Sequence, residues 1–217
     1  MTDPSGGAGG PPGDAPDPQT FYTETLPAQW NRALREQERA VEAAQRVLDG
    51  MRAVSATLRV EVEGEDGGTF YLNVHEGRLE PGEAPAHEPF LTLLQDRAGF
   101  QRLAAEAGDS PMAFLGGLSG LAGEMKLTKE RLENLQGVHG CVRFEVTGPG
   151  GFALRTHFGP GPVPETADAS ITVDPEAYRQ LRTGELAPQD AFMTGRIAVE
   201  GDMQLAMQIA LAALAPD

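Results

Sequence analysis

Two parts of the chain resemble each other at a constant distance of 78 positions, and this internal repeat limits the fold more than any other feature. At this offset Asp96 aligns with Asp174, and Leu103 aligns with Leu181. The further pairs are Ala113-Phe114 with Ala191-Phe192, Gly117 with Gly195, Gly123 with Gly201, Met125 with Met203, Leu127 with Leu205 and, at a slightly larger offset, His75 with His157. We therefore predict two copies of one α+β unit.

Alternating apolar residues predict the strands of both copies. In the first copy they are Leu58, Val60 and Val62, then Phe70, Leu72 and Val74, then the run from Phe90 to Leu94. In the second copy they are Val142, Phe144 and Val146, then Phe152, Leu154 and Thr156, then Ile171 and Val173. A helix follows the third strand of each copy, over 97–107 and from Asp174-Pro175 to Gly184. The predicted fold class is α+β, with a mostly antiparallel sheet covered by helices.

Composition divides the chain into residues 1–25, 26–138 and 139–217. The first segment is rich in Gly and Pro and has no large apolar residue before Phe21, so we predict a disordered tail. The second segment opens with a long helix whose apolar residues recur at spacings of 3, 4 and 7, namely Trp30, Leu34, Val41, Ala44, Leu48 and Met51. This stripe predicts either a helix packed along a sheet or a seam between two helices of a dimer.

The charge balance excludes several functions. The chain has 17 Lys and Arg against 32 Asp and Glu, a net charge of −15, which argues against binding of nucleic acid and of anionic membrane surfaces.

The sequence also bears on the compartment of the protein. Its one cysteine, Cys141, cannot form an internal disulfide. No leader pattern, no peroxisomal tripeptide and no apolar run of membrane-spanning length is visible, so we expect a cytoplasmic protein without stable membrane insertion.

Few residues are suited to chemistry. His75, His87, His139 and His157 are scattered without ligand spacing, so we predict no metal site, and no pattern indicates a cofactor. Cys141 precedes a strand and has no nearby cation cluster in sequence, which favours a buried thiol over a nucleophile. The glycines at 148–151 join two strands and therefore form a turn. Ser119 lacks the spacing of a nucleophile elbow. We predict no catalytic residues.

The C-terminal segment 203–215 is the most informative one for function. Only Gln204 and Gln208 interrupt it with polar side chains, and they lie one helical turn apart. One apolar stripe consists of Met203, Met207, Ala210 and Leu214, and a second consists of Leu205, Ile209 and Ala212. A helix that is apolar nearly all round must be covered on more than one side. The cover could be the other repeat, a second chain or a bound apolar ligand.

Residues 170–214, SITVDPEAYRQLRTGELAPQDAFMTGRIAVEGDMQLAMQIALAAL, resemble the C-terminal half of the sterol carrier protein family. The motifs that carry this resemblance are a strand ending at Asp174, a short helix with Leu181, Gly184-x-Leu186-x-Pro188, Ala191-Phe192-Met193-x-Gly195, a strand from Arg196 to Glu200, and Gly201-Asp202 before an apolar helix. The resemblance covers 139–217 well. The first copy is degenerate, since GGLSGLAGEM stands there against TGRIAVEGDM in the second.

The resemblance implies a five-stranded, mostly antiparallel sheet with an apolar tunnel between sheet and helices. It implies binding of sterols, fatty acids or acyl-CoA with broad specificity and without catalysis. The ligand-binding residues that it suggests here are Phe152, Leu154, Phe192, Met193, Ile197, Met203, Met207, Ala210 and Leu214.

Two functions are compatible with the sequence. The first is a non-catalytic carrier that holds an apolar lipid (a sterol, fatty acid or quinone) in the second copy. The second is an accessory protein whose apolar C-terminal helix docks on a lipid-modifying enzyme or on a second copy, as a homodimer. Because no uncompensated cationic cluster is visible, we expect uncharged or singly charged ligands to be preferred over acyl-CoA.

Overall fold

The computed structural model describes residues 17–107 and 126–214, apart from the side chains of residues 106, 107, 188, 210, 213 and 214. By density of contacts the chain forms two units, Met1–Arg46 and Val47–Asp217. The repeat pairs at 113, 114, 117, 123 and 125 lie outside the described residues, as does the segment GGLSGLAGEM of the degenerate first copy.

The first unit is helical where it is described. Helix α1 (Pro18–Thr20) and a π-helical turn (Phe21–Thr25) lead into the long helix α2 (Leu26–Arg52). The sequence predicts a disordered tail up to residue 25, but residues 18–25 are helical, and residues 1–16 lie outside the described part. The reason is local: the Asp17 carboxylate accepts a hydrogen bond from the Thr20 N–H at 2.9 Å, and Pro18 occupies the first helical position.

The predicted helix with an apolar stripe is confirmed as α2, and none of its residues is buried. The stripe residues Trp30, Leu34 and Val41 are all exposed.

The second unit contains one mixed sheet and the remaining described helices. The strands are β1 (Ala56–Glu63), β2 (Gly68–His75), β3 (Arg78–Gly82), β4 (Pro89–Asp96), β5 (Gly140–Val146), β6 (Phe152–Phe158), β7 (Ala169–Val173) and β8 (Ile197–Gly201). The helices are α3 (Arg97–Ala107), α4 (Lys129–Gln136), α5 (Pro175–Thr183), α6 (Pro188–Met193) and α7 (Met203–Leu214). The predicted α+β class is confirmed.

The strand order is β3-β2-β1-β4-β6-β5-β7-β8. Two neighbouring pairs, β1–β4 and β5–β7, are parallel, and the other pairs are antiparallel. Strand β3 is absent from the sequence prediction because Pro81 interrupts its pattern. As an edge strand it tolerates a proline, since one side of its backbone has no partner strand.

The two halves of the sheet have the same connectivity. In each half a hairpin is followed by a strand parallel to the first hairpin strand and then by a helix: β1-β2-β4-α3 and β5-β6-β7-α5. On its outer edge β7 pairs with β8, whereas β4 pairs with β6 of the second half, both antiparallel. The boundary predicted between 138 and 139 lies in the connection between α4 and β5, and the segments on its two sides share one continuous sheet. The two-copy hypothesis remains a prediction, which this shared topology supports.

One face of the sheet is apolar and carries the core. The register places Leu58, Leu93, Leu154 and Ile171 on this face, and all four are buried. Helices α3, α4, α5 and α7 contribute to the same cluster through Leu103, Leu132, Leu135, Ala177, Tyr178, Leu181, Leu205, Ile209 and Ala212. Tyr178 and Leu181 of α5 therefore face the core.

The opposite face is polar and is covered in part by two segments without regular structure. Residues 83–88 are held by Thr57, whose hydroxyl accepts the His87 N–H at 3.0 Å. Residues 159–168 are held by arginines: Arg59 donates to the Gly161 carbonyl at 3.1 Å, and Arg155 donates to the carbonyl of Pro164 at 2.6 Å. These hydrogen bonds hold the two segments against the polar face and thereby bury parts of it. The alternation of apolar and polar residues along the strands alone predicts that this face is exposed to solvent.

Candidate functional site

The last helix, α7, is placed by two local features that the sequence predicts. Gly201 turns the chain with φ of 82°, in the left-handed region that favours glycine. Asp202 caps the helix, because its carboxylate accepts the Leu205 N–H at 3.0 Å. Together they fix where α7 begins and how it is rotated about its axis.

That rotation separates two sides of α7. Leu205, Ala206, Ile209 and Ala212 are buried in the second unit. Met203, Gln204, Met207, Gln208 and Leu211 are exposed. Of the two stripes predicted from the sequence, the one with Leu205 faces the sheet, and the described members of the one with Met203 face away from it.

The predicted ligand-binding residues fall into two groups. Phe152, Leu154 and Ile197 are buried on the apolar face of the sheet, where the ring of Phe152 packs 5.6 Å from that of Tyr178, centroid to centroid. The exposed group consists of Phe192, Met193, Met203 and Met207. The side chains of Ala210 and Leu214 lie outside the described part of the chain. The structure therefore brings the first three residues together under the helices and leaves the exposed four apart from them.

Between α4 and α7 runs a groove of about 440 Å³. Its lining residues are Glu133, Asn134, Gly137, Val138, Gln208, Leu211 and Ala212. None of these was among the predicted ligand-binding residues. The only sequence signal is that Gln208 interrupts an otherwise apolar helix, since the α4 residues are 70 positions or more away in sequence.

The polar face holds a second depression, of about 170 Å³, at the end of the β4–β6 pair. Its lining residues are Glu63, Leu94, Gln95, Asp96, Arg143, Ala153, Leu154 and Arg155. Charges of both signs line it, so it is a poor match for an apolar ligand, whereas the groove between α4 and α7 offers Val138 and Leu211.

Arg143, Arg155 and Arg179 are engaged by neighbouring acids or carbonyls, and Arg182 lies over the Tyr178 ring at 5.8 Å. Arg143 lies 2.8 Å from Glu145, and Arg179 lies 2.7 Å from Glu176 and 3.3 Å from Glu185. Arg155 donates to the backbone carbonyls of Pro164 and Glu165. The pairs leave little cationic character for a polyanionic headgroup.

The polar face also brings together Cys141, His157 and Asp168. Cys141 and His157 are cross-strand partners in β5–β6, and the Asp168 carboxylate accepts the Cys141 N–H at 2.8 Å. Burial raises the pKa of the Cys141 thiol, and burial together with the nearby Arg59 lowers the pKa of His157. A buried thiol with a raised pKa is a poor nucleophile at neutral pH.

The described part of the chain holds neither a cluster of metal-ligating side chains nor a membrane-spanning helix. Within residues 17–107 and 126–214, no group of three or more His, Cys, Asp or Glu side chains could hold a metal ion. In the same ranges no helix is both long enough and apolar enough to cross a bilayer.

Residues 125–213 match the model of the SCP-2 sterol transfer family. Sterol carrier protein 2 of Rattus norvegicus is 35% identical over 103 residues, which cover 43% of this chain and 19% of that protein. Sterol carrier protein 2 of Homo sapiens is 33% identical over 95 residues, which cover 40% and 17% respectively. The match thus spans about a fifth of the length of these relatives.

Two solved structures are also similar. Sterol carrier protein 2 from Yarrowia lipolytica in its apo form has a TM-score of 0.31 at 19% identity, over 50% of this chain and 96% of that one. Sterol carrier protein 2 like 2 from Aedes aegypti has a TM-score of 0.28 at 23% identity, over 34% and 72%.

Proposed function

We propose that residues 125–213, a domain of the SCP-2 sterol transfer family, hold an apolar lipid against α7 and carry or present it without chemical change. The sequence resemblance predicts this family membership, and the membership supports lipid binding or transfer. The ligand is a sterol, a fatty acid or a quinone-type molecule. It enters between α4 and α7 and lies along the apolar side of the sheet.

The observation that carries this proposal is the environment of Leu211. Leu211 is 69% exposed, although it lies beside the buried Ala212 on a helix whose other side belongs to the core. It lines the groove together with Val138, which is buried on the α4 side. Exposed apolar surface next to a concave site is typical of a ligand site, because a ligand removes that surface from water.

Chemistry by the domain itself is not part of the proposal. The side chains that could act as nucleophile and base, Cys141 and His157, are buried on the opposite face of the sheet. A lipid bound beside α7 would have the sheet between itself and both groups.

The test is native mass spectrometry of freshly purified chain, followed by titration with a neutral fluorescent lipid probe. We expect a stoichiometric lipid or saturable probe binding. Leu211→Asp should abolish uptake with little loss of stability, because the side chain is exposed in the lipid-free state. Leu79→Asp is the matched control, since Leu79 is 53% exposed on the edge strand β3 and does not line the groove. Normal uptake by Leu211→Asp would show that the groove is not the site.

A second function is supported by the exposed apolar group Phe192, Met193, Met203 and Met207. This surface suits docking on a lipid-modifying enzyme or on a second copy. A ligand-free dimer in native mass spectrometry, dissociated by Met207→Asp and not by Leu211→Asp, would favour this alternative.

A further inference from the structure

We propose that the groove between α4 and α7 selects lipids whose polar end is uncharged, a hydroxyl or a carbonyl, over lipids that end in a carboxylate or a phosphate. This inference rests on the proposed lipid-binding function and adds the chemical class of the ligand's polar end.

The groove has one apolar part and one polar part. Val138, Leu211 and Ala212 form the apolar part, and Asn134 of α4 and Gln208 of α7 contribute amide groups. Each amide has a carbonyl oxygen that accepts hydrogen bonds and an NH₂ group that donates them. A pair of amides therefore suits a hydroxyl, which donates and accepts, or a carbonyl, which accepts.

The charge of the lining opposes an anion. Glu133 lines the groove, and the lining residues that the structure describes include no Lys, Arg or His. Like-charge contact with Glu133 disfavours a carboxylate, and no cation is placed to form a charge-assisted hydrogen bond with it.

The cations nearest in sequence do not reverse this balance. Lys129 lies one turn before Glu133 on α4, and its ammonium is 3.9 Å from the Glu133 carboxylate. Arg131 is buried, and its Nη1 donates to the Lys126 carbonyl at 2.5 Å. The Arg131 guanidinium is thus directed to the backbone, and the long contact between the exposed Lys129 and Glu133 side chains offsets little of the Glu133 charge. The net charge of the whole chain, −15, adds a repulsive field at low salt.

The experiment compares ligands of one chain length on the full chain. N-phenyl-1-naphthylamine, a neutral fluorescent probe, is bound first and then displaced by hexadecanol, palmitate or palmitoyl-CoA below their aggregation limits. We expect hexadecanol to displace the probe at a concentration lower than palmitate by about tenfold or more, a difference of about 1.4 kcal/mol. Palmitoyl-CoA should be weaker still.

Two variants separate the groove from the general field. Glu133→Lys should reduce or reverse the preference for hexadecanol, because it replaces the one charged side chain among the described lining residues by a cation. Glu130→Lys makes the same charge change on the same helix outside the lining and should leave the preference within about twofold, as expected of a screened surface charge. Gln208→Leu should weaken the binding of hexadecanol more than it weakens the binding of the probe.

The outcomes distinguish this inference from the proposed function. If neither the probe nor any competitor binds, the lipid-binding function itself fails. If all of them bind and palmitate displaces the probe at a concentration equal to or lower than that of hexadecanol, the lipid-binding function stands and the selection for an uncharged end is overturned. Equal effects of Glu130→Lys and Glu133→Lys would also overturn it, because the groove would then play no special part.

Discussion

The carboxylate of Asp174 holds the guanidinium of Arg196, with Nε 3.2 Å from Oδ2 and Nη2 3.3 Å from Oδ1. Asp174 also caps α5, since its Oδ1 accepts the Ala177 N–H at 2.7 Å. Arg196 in turn donates to the Gln180 side chain of α5 at 2.6 Å. One carboxylate thus joins the end of β7, the start of α5 and the residue before β8, which leads into α7.

Replacing Asp174 by Ala should destabilise the second unit. The lost cap alone accounts for about 0.5–2 kcal/mol of the free energy of unfolding. The hydrogen bond from Arg196 and that from the Ala177 N–H hold the pKa of Asp174 below its usual value. Stability from this carboxylate is therefore present above the unfolded pKa of about 3.9 and is lost as the pH falls through the lower folded pKa.

Chemical unfolding between pH 5 and pH 2 measures this effect. Between pH 5 and pH 2 the free energy of unfolding should decrease less in Asp174→Ala than in the parent chain. Glu200→Gln, at an exposed position of β8, is the control, and its free energy of unfolding should decrease over this pH range as much as that of the parent chain. An unchanged decrease in Asp174→Ala would contradict the role given to the ion pair.

His157 should give a second pH dependence, of separate origin. Burial and the charge of Arg59 lower its pKa below the usual value of 6.5. Among the described residues its buried Nδ1 has no hydrogen-bond partner, so a proton added there gains no acceptor. The unfolded state then binds more protons than the folded state below about pH 6.5, and the free energy of unfolding decreases as the pH falls from 7 toward the folded pKa.

Thermal unfolding between pH 7.5 and pH 5 detects this loss. His157→Gln should have a smaller decrease over this range than the parent chain, whatever its absolute stability. His75→Gln, on the exposed position aligned with it in the first half, is the control. A decrease of the same size in His157→Gln would assign the pH dependence to other groups.

The Cys141 thiol should be unreactive in the folded chain. It is fully buried, and burial raises its pKa, so the thiolate that reacts with disulfide reagents is both scarce and covered. We expect no labelling by an aromatic disulfide reagent within minutes at pH 7.5 and one equivalent after addition of denaturant. Rapid labelling without denaturant would mean that the β5–β7 region opens.

Gly201 should tolerate no side chain. Its φ is 82°, and a Cβ there would lie 2.3 Å from the Asp168 carbonyl oxygen. Gly201→Ala therefore combines backbone strain of about 1–2 kcal/mol with a steric clash. Gly161→Ala is a matched control, since φ is 96° there and no atom lies within 4 Å of the added Cβ. We expect a larger loss of melting temperature for Gly201→Ala, and equal losses would argue against the clash.

Much of the local structure could be predicted from the sequence. The alternation around Val60 and Phe144 identified strands because a half-buried strand requires it. The end of α5 followed from Gly184, and the start of α7 followed from Asp202, because caps depend on one or two residues. The positions of these strands and helix ends depend on residues that are close together in the sequence, and therefore a short stretch of sequence is enough to predict them.

The candidate site could be predicted only in part. The sequence identified α7 as the important helix and found two apolar stripes on it, but both are apolar enough to be buried. Which one faces the sheet depends on the turn at Gly201 and on the hydrogen bond from the Asp202 N–H to the Asp168 carbonyl at 2.8 Å, a partner more than thirty positions away.

What the sequence by itself determined is therefore most of the strands, the helices α2, α3, α5 and α7, the caps at Gly184 and Asp202, the acidic charge and the family of the second half. Only the tertiary structure decided that β4 pairs with β6 and that Asn134 and Gln208 share a groove. The physical reason is that strand order and the lining of a groove depend on contacts between distant segments. Many such pairings satisfy the same apolar pattern, and packing of the whole chain selects among them.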